Sequence, residues 1–321
     1  MTTIGYHASH EQFAPSHLIR LIRMAEAAGF RAGLCSDHFH PWTSQQGQSG
    51  FAWSWLGAAL QATTLPFGVV CAPGQRYHPA IIAQAAATLA ELFPDRFWVA
   101  VGSGQALNEH ITGQPFPIKP VRNARLRESV GVMRALWTGE SVTHHGLITV
   151  EEAKLYTLPD RAPRIVAAAL SPETAEWAGG WADGLITVAH PRDELRKVVE
   201  AFRRGGGEGK PMYLQVQLSW AADEEAARRG AHEQWAANTL PSPVLSELRR
   251  PDQFEAVGSY VRPEDIEGHI RISADPDQHV EWLLEDVALG FDHLYLHNVN
   301  RDQERFIEVF GERVLPVLHG D

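Results

Sequence analysis

The chain has 321 residues, 44% of them hydrophobic and 21% charged, with a net charge of -11 at pH 7. That is the composition of a folded globular protein, and its acidic balance excludes a surface of clustered Lys and Arg, so neither nucleic acid nor membrane is an expected partner. The two cysteines, Cys35 and Cys71, are too few for a disulfide framework, and the opening MTTIGYHASHEQF has no basic start, apolar segment or cleavage site. A cytoplasmic location is expected.

Short β-rich apolar runs alternate with longer segments of helical period. TIGYHA precedes a helix from about Ser16 to Ala28, with Leu18, Ile19, Leu21, Ile22 and Ala25 as its stripe and Gly29 as its stop. AGLCS leads through the loop SDHFHPW to the helix WSWLGAALQATT. PFGVVCA leads to PAIIAQAAATLAELF, and RFWVAVGSG leads through a long loop to NARLRESVGVMRALW. After an excursion, ESVTHHGLITVEEAKLYTLP, the pairs RIVAAAL with PETAEWAGGWA and GLITVA with DELRKVVEAFRRG follow. MYLQVQLSW precedes a mostly helical insertion from about Asp223 to Glu285, and HLYLHNV with QERFIEVFGERVLPVL gives the eighth unit. Eight units with nearly unbroken apolar strands predict one (β/α)8 barrel over residues 1–321, with insertions after strands 4 and 7; a doubly wound open sheet is the alternative.

In such a barrel chemistry sits where the strands end, which singles out the loop residues that follow the apolar runs. Asp37, His38, His40 and Trp42 lie within six positions after the second strand. Two histidines two apart suit a metal-dependent hydrolase, yet the later strand ends offer only His190 as a further obvious ligand. They also suit a solvated loop. A third reading fits the company: Asp37 can orient His38, and Trp42 can keep water from a general base beside a flat cofactor. After the fourth strand, VGSGQALNEH brings backbone close to a planar ligand at Gly102 and Gly104 and presents Gln105, Asn108 and Glu109, which equally suit a short helix. Ser171 is an N-cap ahead of Pro172, a helix start that fits either a phosphate or the dipole partner Glu173.

As a set, GYHASHEQFAP, SDHFHPW, WSWLGAALQATT, RYHPAIIAQAAATLAELFPDRFWVAVGSGQALNE and RLRESVGVMRALWTGE resemble the luciferase-like flavin and deazaflavin oxidoreductases. The branch most resembled is the coenzyme F420-dependent glucose-6-phosphate dehydrogenases. The resemblance implies a dimeric (β/α)8 barrel with an isoalloxazine-type ring in its mouth. It makes His38 the base that takes a hydroxyl proton, Trp42 the indole beside the reacting carbon and Glu11 a pocket carboxylate. It also assigns cofactor contacts to Asp37, Val70, Cys71, Ala72, Gly104, Asn108, Ala168, Ala169 and Ser171, and substrate contacts to Thr187, His190 and His269. A non-proline cis peptide of this family would fall near Val69 to Cys71.

The departures narrow the reading. The family's carboxylate beside the cofactor is here Gln105, an amide that cannot deliver a proton. The cations that hold a substrate phosphate in that branch align with His190, Ala256 and His269, with Arg271 nearby. Losing fixed cations removes the contacts that make a phosphate site. The expected activity is therefore hydride transfer between F420 or FMN and a small, non-phosphorylated hydroxyl or carbonyl compound. An FMN-dependent monooxygenase and a metal-dependent hydrolase are the alternatives, and no metal is expected in the hydride-transfer site.

Overall fold

Eight apolar runs become eight parallel strands: β1 (Thr3–Ala8), β2 (Ala32–Ser36), β3 (Phe67–Cys71), β4 (Phe97–Val101), β5 (Arg164–Ala168), β6 (Gly184–Val188), β7 (Met212–Ser219) and β8 (His293–Asn298). The chain was analysed as a computed structural model that describes residues 2–320. Each strand pairs with the next, and β8 pairs with β1 (Thr3 opposite His293), so the sheet closes as a barrel and not as the open doubly wound alternative. The barrel helices are α1 (Pro15–Ala27), α2 (Ala52–Ala62), α3 (Pro79–Leu92), α4 (Lys119–Trp137), α5 (Pro172–Gly179), α6 (Arg192–Phe202), α7 (Pro276–Ala288) and α8 (Gln303–Arg313).

Local chemistry explains most boundaries. Leu18, Leu21, Ile22 and Ala25 bury one face of α1, and Gly29, at φ 102°, ends it in the left-handed region. Ser171 caps α5 by accepting from Thr174 N, and Asp275 caps α7 by accepting from Asp277 N. Helix α4 begins at Lys119, a turn earlier than its apolar period indicates, because Pro120 occupies its first turn, where no amide is needed. The excursion after the fourth unit is an antiparallel hairpin, Val142–His145 with Thr149–Ala153. The insertion after β7 ends before Asp275, since the residues from Pro276 are the seventh barrel helix. It also contributes a short strand, Arg271–Ile272, parallel to the end of β7.

Alternation along each strand separates two cores. One set, including Ile4, Val69, Val99, Ile165, Leu185, Leu214 and Leu294, faces the helices. Ala32, Leu34, Trp98, Ala100, Val166, Ile186, Tyr213 and Tyr295 fill the barrel, with Val70 and Ala168 half-buried on top. The rings of Trp98 and Tyr213 lie 4.5 Å apart, and Tyr295 is 6.0 Å from Trp98. Glycines make room for them: a Cβ at Gly68 would sit 2.1 Å from the Trp98 ring, and one at Gly5 would sit 2.5 Å from Tyr295. Gly68→Ala is expected to cost about 1–3 kcal/mol through overpacking. Gly57, mid-helix in α2 with nothing within 4 Å of a built Cβ, is the control. Gly57→Ala is expected to raise stability by roughly 0.5–1 kcal/mol, both read by chemical denaturation.

Candidate active site

The C-terminal ends of the strands carry an unusual density of buried polar groups. On β1, His7 follows Gly5 on the inner face and its ring lies 4.4 Å from that of His297 on β8. Beyond β1, the chain turns so that Glu11 is buried beneath the loop that leaves β2. Glu11 Oε2 accepts from Ser36 Oγ at 2.7 Å and from Ser9 Oγ at 3.1 Å. Its Oε1 lies 3.4 Å from His38 Nδ1, without the alignment of a hydrogen bond, and that nitrogen is otherwise unpartnered. The His38 ring meets Trp42 edge-on at 4.8 Å, and Trp42 in turn meets Phe254 of the insertion at 5.3 Å.

Burial sets the protonation of this group. It pushes His38 below the ordinary imidazole value, Glu11 and Asp37 pull it back up, and Arg76 adds to the depression. Burial raises the Glu11 carboxyl, but the facing His38 and the Ser36 hydroxyl outweigh it, so the net direction is down and Glu11 is ionised. His7 is driven well below its ordinary value by burial and by the neighbouring imidazoles, and His297 is lowered to about 4 by burial. At neutral pH, then, His38 is an uncharged imidazole beside a carboxylate, the state a general base requires.

Asp37 faces another way. Its Oδ1 accepts from Tyr77 OH at 3.0 Å, and its Oδ2 lies 3.3 Å from Arg76. Arg76 also donates to the Asp37 carbonyl at 2.8 Å, while its backbone amide donates to Glu109 Oε2 at 2.7 Å. A guanidinium thus ties the loops after β2, β3 and β4 together. Sequence reasoning passed over Arg76; the only signal was a lone basic residue in the loop GQRY after β3. It also passed over His7 and His297, which strand alternation alone puts on the inner face. Burial raises both Asp37 and Glu109, against the pull of Arg76.

The remaining sequence-derived residues fall into three groups. Val70, Ala72, Ala168 and Gly104 form a floor of small groups over the aromatic plug. Gly104 has φ 82°, and a Cβ there would stand 2.9 Å from Glu109 and 3.4 Å from Ala72, so only glycine leaves this cradle open. Gln105 is half-buried beside it: its backbone carbonyl accepts from the Asn108 and Glu109 amides, while its side-chain amide makes no hydrogen bond to another described residue.

A second group is occupied structurally. Asn108 accepts from the backbone amides of Phe39 and His40 at 2.8 and 3.3 Å, holding the His38 loop. The Ser171 hydroxyl is spent on its cap. His40 Nδ1 pairs with the Leu107 carbonyl and its ring stacks on His110 at 5.5 Å, so it does not converge with His38 on a metal.

The third group is corrected by strand parity. Cys71 and Ala169 belong to the helix-facing core, where only their backbone can approach a cofactor. Thr187 stands in register with Leu214 of that same core and so faces the helices, not the mouth. His190 and His269 line a separate cavity beside the mouth, and Ala256 lies exposed on the helix Pro251–Gly258. All peptide bonds between described residues are trans, including those from Val69 to Cys71.

A family profile described as Luciferase-like monooxygenase matches residues 1–293. The chain belongs to this luciferase-like family. Among its relatives, the F420-dependent glucose-6-phosphate dehydrogenase of Mycobacterium tuberculosis is 37% identical over 98% of this chain and 97% of its own length. The enzyme of the same name from Beutenbergia cavernae is 35% identical over 99% and 98%. Among solved structures, an F420-dependent secondary alcohol dehydrogenase in complex with an F420-acetone adduct superposes with a TM-score of 0.89 at 33% identity, covering 98% of each chain. The F420-dependent tetrahydromethanopterin reductase of Methanopyrus kandleri, at 21% identity and a TM-score of 0.80, shares the fold.

Two predictions follow from the charges of this luciferase-like site. Because Glu11 raises His38, Glu11→Gln is expected to move the acid limb of the kcat/KM profile to lower pH and to lower the plateau, as a weaker base would; the profile itself is the measurement. Buried His279 and His297, both lowered to about 4, stay neutral in the native state while the unfolded chain protonates near 6.5. Stability is therefore full above pH 6.5 and lost as pH falls towards 4, by roughly 3 kcal/mol for each. Denaturant midpoints at pH 7 and 5 read this loss, and His279→Gln is expected to reduce it.

Proposed function

We propose that this protein is an oxidoreductase that transfers a hydride between coenzyme F420 and a small, non-phosphorylated hydroxyl or carbonyl compound, with His38 as the base. The observation that carries this reading is a neutral imidazole held beside an ionised carboxylate, at the mouth of a barrel floored by small residues. The names of the relatives point to the same cofactor. The site fits a flat ring on two grounds: Gly104 leaves open a cradle that a Cβ would fill, and Asp37 Oδ2 is buried without a hydrogen-bond partner. Val70, Ala72, Ala168 and Gly104 would bear the ring, with Asp37 at its edge.

The chemistry a bound deazaflavin supplies is acceptance of a hydride from carbon. His38 supplies the rest of an alcohol oxidation, taking the hydroxyl proton at Nε2 while its Nδ1 side faces Glu11. Glu11 stabilises the resulting imidazolium, and Trp42 shields the reacting carbon from water. Gln105 can donate a hydrogen bond at this site but holds no acid proton to give. That amide also leaves room for FMN as the alternative flavin.

Titration with oxidised F420 and with FMN, read by fluorescence quenching, tests the cofactor. His38→Ala is expected to lower kcat for alcohol oxidation by about 10²–10⁴-fold while changing the cofactor Kd little. Binding of neither cofactor, or full activity in His38→Ala, would overturn the reading; oxygen uptake with reduced FMN would replace it with a monooxygenase.

A further inference from the structure

A cavity of about 360 Å³ lies beside the mouth, between the ends of β6 and β7 and the short strand Arg271–Ile272. None of the His38 group lines it. Gln217 connects the two: it points inward at the end of β7, in register with His297 of the mouth, and it also lines the cavity. From His38 on β2 to Gln217 on β7 is three strand steps around the wall, on the order of 14 Å.

The charges in the cavity cancel. Its three arginines are Arg192, Arg228 and Arg271, and its three carboxylates are Glu267, Glu285 and Asp286. Arg271 is held in a two-pronged pair with buried Asp286, at 2.5 and 2.8 Å, and Arg228 is paired with Glu267. Two of the three cations are thus already neutralised. One charge of each sign, Arg192 and Glu285, is left without an ion pair among the described residues. The uncharged groups free for a ligand are the Gln217 side-chain amide, which makes no hydrogen bond to another described residue, and His190 Nε2, which is buried without a partner. Burial and the nearby His269 hold the His190 imidazole below its ordinary value, against Glu194, so it too is neutral at pH 7. Trp282, half-buried, adds an indole wall, the kind of surface on which the C–H face of a sugar or polyol packs.

We propose that this cavity is the specificity pocket of the enzyme and takes the neutral, hydroxyl-bearing tail of a polyol or unphosphorylated sugar, with His190 and Gln217 as its hydrogen-bonding residues. The proposal rests on the hydride-transfer reading above for the identity of the reacting end, but not for the chemistry of the pocket.

Initial rates with oxidised F420, read by loss of its absorbance, test it with three substrates: glucose, glucose-6-phosphate and propan-2-ol. Glucose is expected to have a kcat/KM about tenfold or more above that of glucose-6-phosphate, and inorganic phosphate at about 10 mM is expected not to inhibit. His190→Ala, and independently Gln217→Leu, are expected to lower the preference for glucose over propan-2-ol by about tenfold, through KM, which corresponds to the loss of one buried hydrogen bond. Preferential use of glucose-6-phosphate, competition by millimolar inorganic phosphate, or unchanged preference in both variants overturns the proposal. Saturation-transfer NMR with glucose separates its failure from that of the hydride-transfer reading. If no substrate is oxidised, contacts to glucose that His190→Ala abolishes support the pocket alone, and no contact to the wild-type protein sinks it.

Discussion

The aromatic plug inside the barrel is the constraint on which the site depends. Trp98, Tyr213 and Tyr295 fill the lower part of the barrel so completely that the facing positions on β1 and β3 have to be glycine. With large rings beneath, the next layer up can be small, and Val70, Ala72 and Ala168 there leave a shallow, half-buried floor. In the proposed reading, a rigid floor at the barrel mouth would hold a ring and a base at fixed separation, and such positioning can supply a large share of a reaction's barrier lowering.

Above that floor the polar groups are kept in balance by burial, not by exposure. Isolated in an apolar wall, His38 would be too weak a base; with Glu11 alone it would be drawn towards the charged form. The opposing effects leave it neutral and oriented. Arg76 serves a related end from the other side. By linking Asp37 and Glu109 it holds three loops in one arrangement, and it opposes the rise that burial imposes on both carboxyls.

The fold was legible because a parallel barrel writes itself as apolar runs at near-regular spacing, and the His38 loop because acid, base and indole are contiguous. Glu11 entered only through the family resemblance, since nothing in its local sequence says that the chain folds back under β2. Thr187, Cys71 and Ala169 do lie at the strand ends, but strand-end proximity was read without strand parity, and parity turns their side chains towards the outer core. Arg76, His7 and His297 were missed because each acquires its meaning from a neighbour far away in sequence. Strand order was needed to see that the His7 and His297 rings meet.

The same logic bears on the cavity beside the mouth. Three arginines line the pocket, but the cost of using them for an anion depends on their partners. Freeing Arg271 for a phosphate would strand Asp286, buried at 2% exposure, and breaking a buried pair in this way costs about 3–5 kcal/mol. A phosphate would have to supply that before gaining any affinity, and the partner-bound guanidinium would still be shared. Hydroxyl groups face no such cost, because the His190 and Gln217 side chains that meet them are unpaired and uncharged. On the proposed reading, discrimination between a phosphorylated and a plain substrate would be set less by which cations line the pocket than by which carboxylates already hold them.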